Sequence, residues 1–123
     1  MSKTPKDIRD RTFEFAVRII KLCHELDKKP GVSRSMSRQL LNSGTSVGAN
    51  AEEAQAAQSK PDFISKNSIA LKEARETHYW LRLLIAAEIM PERKLAELRD
   101  EADELRRILG SIVVSARRAQ QKL

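Results

Sequence analysis

The apolar positions recur at steps of three, four and seven, and nowhere do they alternate with period two, so the chain reads as helical throughout. Ile8, Phe15, Ile19, Leu22 and Leu26 make the first stripe, with Phe13, Val17 and Ile20 beside it to widen the buried face. Met36, Leu40, Val47, Ala51 and Ala54 make the second; Phe63, Ala70, Ala74, Thr77, Leu81 and Leu84 make the third. Leu95, Leu98, Ala102, Leu105, Leu109, Ile112, Ala116 and Ala119 continue one three-four heptad seam, as expected of a helix packed along its length.

Three interruptions separate the stripes: Pro30-Gly31, Ser59-Lys60-Pro61-Asp62 and Met90-Pro91-Glu92. They predict helices over about residues 7–28, 33–58, 61–89 and 91–121. Ser33 is placed to cap the second, and Pro61 and Pro91 fall where a first-turn proline loses no hydrogen bond. Asp62 and Glu92 put negative charge near positive helix ends. Links this short make antiparallel neighbours, so residues 1–123 are expected to form one domain, an all-α, antiparallel, up-down-up-down four-helix bundle.

Gly44 and Gly48 are the awkward positions, since each costs about 1 kcal/mol relative to Ala inside a helix. Four apart, they share one face. Two readings fit: a close helix crossing, or a break near Gly44 that offers backbone to a ligand. Asn50, if buried, needs a partner such as Glu53 or the indole N–H of Trp80.

Composition narrows the chemistry. The one cysteine, Cys23, excludes a disulfide framework and a multi-cysteine zinc site, and its place near the first stripe reads as core. The two histidines, His24 and His78, stand three residues after Lys21 and Arg75, so the Glu-x-x-His pairs of a di-iron bundle are missing. No metal or cofactor is expected, and both histidines read as surface or interfacial. Glu73 and Glu76 share a face of the third helix, but without a nucleophile or metal signature they read as a polar network, and no enzymatic activity is expected. The longest apolar run, residues 83–87, is far short of a membrane span, and no signal-peptide pattern follows the N-terminal charges; a cytoplasmic protein is the expectation.

The 123 residues carry 23 Lys and Arg against 17 Asp and Glu, a formal net charge of +6. Residues 1–40 hold ten bases and five acids and so most of the excess. Arg11 and Arg18 share a face of the first helix, and Arg34 and Arg38 open the second. Arg99, Arg106 and Arg117 line the fourth, and Arg118 and Lys122 end the chain. If the first and fourth helices are neighbours, these bases form a candidate surface for phosphate backbone. Aromatics for stacking bases are nearly absent from it, which argues against reading single-stranded sequence.

The stretches Arg38-Gln39-Leu40-Leu41, Ser46-Val47-Gly48-Ala49-Asn50-Ala51-Glu52-Glu53-Ala54, Ser59-Lys60-Pro61-Asp62-Phe63, Lys72-Glu73-Ala74-Arg75-Glu76-Thr77 and Tyr79-Trp80-Leu81 resemble the bacterial four-helix-bundle proteins of the 23S ribosomal RNA intervening-sequence family. The likeness runs from about Arg11 to the end of the fourth helix. The accessory protein of diversity-generating retroelements looks like another branch. The resemblance implies a homopentameric, non-enzymatic ring with basic surfaces, binding RNA or DNA. Alternatively it implies an interaction scaffold for a nucleic-acid enzyme such as a reverse transcriptase, without direct nucleic-acid contact. It also implies that Ser46, Gly48, Asn50, Glu53, Phe63, Glu73, Glu76 and Trp80 are structural or interface residues.

Overall fold

The structure, a computed structural model, describes residues 7–121. These form four helices and no strand: α1 (Ile8–Leu26), α2 (Val32–Gln55), α3 (Lys60–Ala86) and α4 (Glu92–Gln121). The breaks fall where the sequence placed them, although α2 and α3 each stop three residues before the expected end.

Capping explains the starts. Asp7 accepts from the Arg9 amide at 2.8 Å to open α1, and Ser59 accepts from the Asp62 amide at 3.1 Å to open α3, with Pro61 in its first turn. The α2 start corrects the sequence reading. Its N-cap is Gly31, at φ 88°, and Ser33 lies inside the helix. The Ser33 hydroxyl donates instead to the Leu26 carbonyl at 2.8 Å, which also accepts from the Lys29 amide at 3.3 Å, so the side chain ties the start of α2 to the end of α1. After α3 the chain turns through Glu88 at φ 58°, and the amides of Ile89 and Met90 both reach back to the Leu84 carbonyl. That reversal replaces the last turn the sequence had assigned to α3.

Consecutive helices pack closely, α1 on α2, α2 on α3 and α3 on α4, whereas α1 and α4 approach each other sparsely. The order of the contacts is consistent with an up-down course. Between α1 and α2, Cys23 meets Ser37 and Thr12 meets Gly48. Between α3 and α4, Leu71 lies nearest Gly110 and His78 nearest Asp103.

The main core joins Phe15, Ile19, Leu22, Leu26, Leu40, Leu81, Leu84, Leu95, Leu98 and Leu105. A smaller one, toward the start of α3, joins Val47, Ala70, Ala74 and Leu109. Two expectations shift. On α4 the buried line passes from Leu109 to Val113 and Ala116, while Ile112 is only half-buried and Ala119 exposed. Leu95, Ala102, Leu109 and Ala116 keep the seven-residue line, and only its companion position moves, from Ile112 to Val113, in the direction a straight helix drifts against a strict seven-residue repeat. On α1, Phe13, Val17 and Ile20 do not widen the core: they are 64%, 37% and 50% exposed.

Candidate nucleic-acid interface

Gly44 and Gly48 set the geometry of the α1–α2 pair. A Cβ on Gly44 would stand 2.7 Å from Ile19 Cγ2, and one on Gly48 would stand 3.2 Å from the Thr12 carbonyl oxygen. The helix is unbroken there, so the close crossing is the correct one of the two readings. One turn farther along, Cys23 and Ser37 clasp the pair reciprocally: Sγ donates to the Ser37 carbonyl at 3.4 Å, and the Ser37 hydroxyl to the Cys23 carbonyl at 3.2 Å. Burial pushes the Cys23 thiol up from its ordinary value, so it stays protonated and unreactive.

The rest of the helix-two motif serves α2 itself. Ser46 donates to the Asn42 carbonyl and Asn50 to the Ser46 carbonyl, at 2.7 and 2.9 Å. Asn50 is half-buried and uses neither Glu53 nor Trp80, the partners suggested by the sequence. The buried amide is Asn67, which donates to the Phe63 carbonyl at 3.0 Å. An isolated Asn carries no signal of its burial in the sequence. Glu53 is exposed beside a groove of about 400 Å³ lined also by Arg9, Phe13, Ala16, Gly48 and Glu52. On α3, Phe63 is half-buried with the Lys60 ammonium 5.8 Å from its ring. Glu73 and Glu76 are half-buried, and Glu73 is held above the ordinary carboxylate range by burial and then by the charge of Glu76. The Trp80 ring meets Tyr79 edge-on, while its buried indole N–H has no partner. No group of three or more His, Cys, Asp or Glu side chains able to hold a metal occurs among the described residues.

The basic candidates divide into two sets. The first is neutralised within the chain. Arg11 on α1 reaches Glu101 on α4 at 2.6 Å and Glu104 at 3.4 Å, with both Arg11 and Glu101 side chains only 22% exposed. Arg18 pairs with Glu97 at 3.4 Å, and Lys94 answers Glu25 at 3.1 Å. These pairs ladder the sparse α1–α4 seam. Arg99 holds Glu92 and Asp100, and Arg106 holds Asp103 at 2.7 Å. Burial pushes the Asp103 carboxyl up, but the Arg106 hydrogen bond and the charges of Arg106, Arg107 and His78 outweigh it and leave the group below its ordinary range. The second set has no carboxylate partner among the described residues. Arg38, Arg117 and Arg118 are exposed, and Arg34 donates only to the Asp27 carbonyl at 3.1 Å. Lys122 lies outside the described residues. The structure thus does not bring the sequence's candidates onto one face. Arg34 and Arg38 stand at the α1–α2 turn, and Arg117 and Arg118 near the end of α4.

Four helices joined by short turns, with no metal cluster among the described residues and a seam closed by ion pairs, define a helical protein whose distinctive surfaces are an apolar face and two separated basic patches. The chain belongs to the 23S rRNA-intervening sequence protein family, whose model matches residues 6–111. A solved relative, a protein of unknown function of the S23 ribosomal protein family from Bacteroides thetaiotaomicron, is 45% identical. The alignment covers 87% of this chain and 98% of that one, with a TM-score of 0.80. No curated protein matches. No helix among the described residues is long and apolar enough to cross a membrane.

Proposed function

We propose that the chain is a non-enzymatic, antiparallel four-helix bundle that assembles as a homopentamer and binds RNA or DNA through bases left free of internal ion pairs. The exposed apolar face carries this reading. Phe13, Val17 and Ile20 on α1 stand 64%, 37% and 50% exposed, with Leu41 on α2 at 38%. A cluster of large apolar side chains in water marks an interaction surface. The antiparallel course is supported by ion pairs whose α1 members rise, 11, 18, 25, as their α4 partners fall, 101, 97, 94.

Assembly would multiply a net charge of +6 per chain and collect Arg34, Arg38, Arg117 and Arg118 from several copies around one ring. Phosphate contacts release counterions, so affinity for a labelled RNA should fall steeply between 50 and 200 mM salt, by about tenfold or more for a few contacts. Absence of binding at low salt contradicts the nucleic-acid half of the proposal.

A second reading is favoured by the same apolar face: a cytoplasmic scaffold for a protein partner such as a reverse transcriptase. It predicts that partners captured on the protein survive nuclease and high salt. Partners lost on nuclease treatment contradict it.

A further inference from the structure

We infer that the outward row of α3, with Lys72, Arg75 and Arg82 as its cations and Tyr79 as its stacking platform, binds a single-stranded nucleic acid. The inference rests on the nucleic-acid reading above and adds which helix holds the strand and which side chain meets a base.

α3 differs from the other helices in what it shows to solvent. Its three acids, Asp62, Glu73 and Glu76, are all half-buried, so no carboxylate is exposed anywhere from Lys60 to Ala86. Each of the other helices exposes acids: Asp10 on α1, Glu52 and Glu53 on α2, Glu97 and Glu104 on α4. Lys72, Arg75, Tyr79 and Arg82 are exposed and follow at steps of three, four and three. They therefore share one side of α3 over about 15 Å, at 1.5 Å per residue. None of the three cations has an ion-pair partner among the described residues, whereas Arg99 and Arg106 on the neighbouring α4 do.

The field stays positive toward α4. Arg106 and Arg107 share the single carboxylate of Asp103, at 2.7 and 3.0 Å, which leaves one of their two charges uncompensated. His78, half-buried one residue before Tyr79, is held below its ordinary value first by burial and then by the charge of Arg82, with Arg106 and Arg99 adding to it and Asp103 opposing.

The independent observation is the Tyr79 ring. It is 47% exposed, the one exposed aromatic on α3, and belongs to neither core. Trp80, packed against the main core, meets it edge-on at 5.3 Å and steadies it, and the Arg82 guanidinium lies 5.6 Å from its centroid. Bases stack on aromatic rings and guanidinium planes while their phosphates answer the cations, which holds a strand without reading its sequence. A duplex keeps the faces of its bases inside its own stack, so a ring presented among free cations suits a single strand.

The test is fluorescence anisotropy with a single-stranded RNA oligonucleotide of mixed sequence across a salt series, on the full chain. It compares the wild type with Arg75→Gln/Arg82→Gln, Tyr79→Ala, Tyr79→Phe and Arg34→Gln/Arg38→Gln, each checked for fold by circular dichroism and for mass by light scattering. Removing two phosphate contacts in Arg75→Gln/Arg82→Gln should reduce the slope of log affinity against log salt by about 1.4, since each contact on a single strand contributes about 0.7. Tyr79→Ala should weaken binding by about fivefold or more with little change of slope, the effect of losing one stacked base, and Tyr79→Phe should restore it. Wild-type affinity and slope in Arg75→Gln/Arg82→Gln, with loss in Arg34→Gln/Arg38→Gln, overturn the assignment to α3 and leave the nucleic-acid reading standing. Full binding by Tyr79→Ala overturns the stacking role. A lowered mass in either α3 variant would make the row a contact between copies of the chain and overturn the inference. No binding by the wild type overturns both the inference and the reading beneath it.

Discussion

Gly44 of α2 lies so close to Ile19 of α1 that a single methyl group could not be added without moving one of them. The added Cβ would stand 2.7 and 2.8 Å from the two Ile19 γ-carbons and 3.1 Å from its Cβ. Ile19 is fully buried and β-branched, so it has few rotamers in which to retreat. Gly44→Ala is therefore expected to destabilise the protein by about 1–3 kcal/mol, despite the gain in helix propensity. Gly110 on α4 is the control, because a Cβ there meets only Leu71 Cδ1 at 4.0 Å. Gly110→Ala should stabilise by up to about 1 kcal/mol. Urea titrations of both variants check this, and equal shifts in the same direction contradict the close crossing.

The Arg11–Glu101 bridge joins residues 90 apart in sequence across the loosest seam of the bundle. Both oxygens of Glu101 take part, with the Arg11 Nε and Nη2 donating at 3.2 and 2.6 Å. A two-pronged, partly buried pair of this kind should show a coupling of about 1 kcal/mol in a double-mutant cycle with Arg11→Gln and Glu101→Gln. The coupling should shrink only modestly in high salt, because the pair is partly shielded. A coupling near zero would mean that the seam is held by other contacts.

Acid should weaken the fold through His78. Burial, and then the nearby cations Arg82, Arg106 and Arg99, hold its imidazolium below the ordinary value, against the opposing charge of Asp103. The unfolded chain thus binds the proton more readily than the folded one. The contribution to stability is complete above about pH 6.5 and is lost as the pH falls below that value toward the folded one. His78→Gln should flatten this part of the stability curve, as read by urea midpoints measured from pH 7.5 to 5. An unchanged slope in the variant would assign the acid sensitivity elsewhere.

The fold was legible because its signals are local. Pro30-Gly31, Pro61 and Pro91 act within a turn or two, and helical spacing marks most of the buried residues directly. The errors share a cause as well. Phe13, Val17 and Ile20 are as apolar as Phe15 and Ile19, and only the position of α2 decides which of them meets water. Ser33 looked like a cap because the sequence does not show that the Leu26 carbonyl lies beside it. The surface was less legible than the core. Which arginines are free depends on contacts such as Arg11–Glu101 and Arg18–Glu97, made between helices at opposite ends of the chain. Charge counting cannot separate those arginines from Arg38 or Arg117.

The apolar α1–α2 face is the feature on which the account most depends, and the mass of the protein in solution tests it most directly. Light scattering on the wild type should give five times the chain mass of 13.9 kDa, and Phe13→Ser, which alters a side chain 64% exposed, should lower that mass without loss of helix content. A wild-type mass of 13.9 kDa at micromolar concentration would contradict the assembly and the pooling of charge that follows from it.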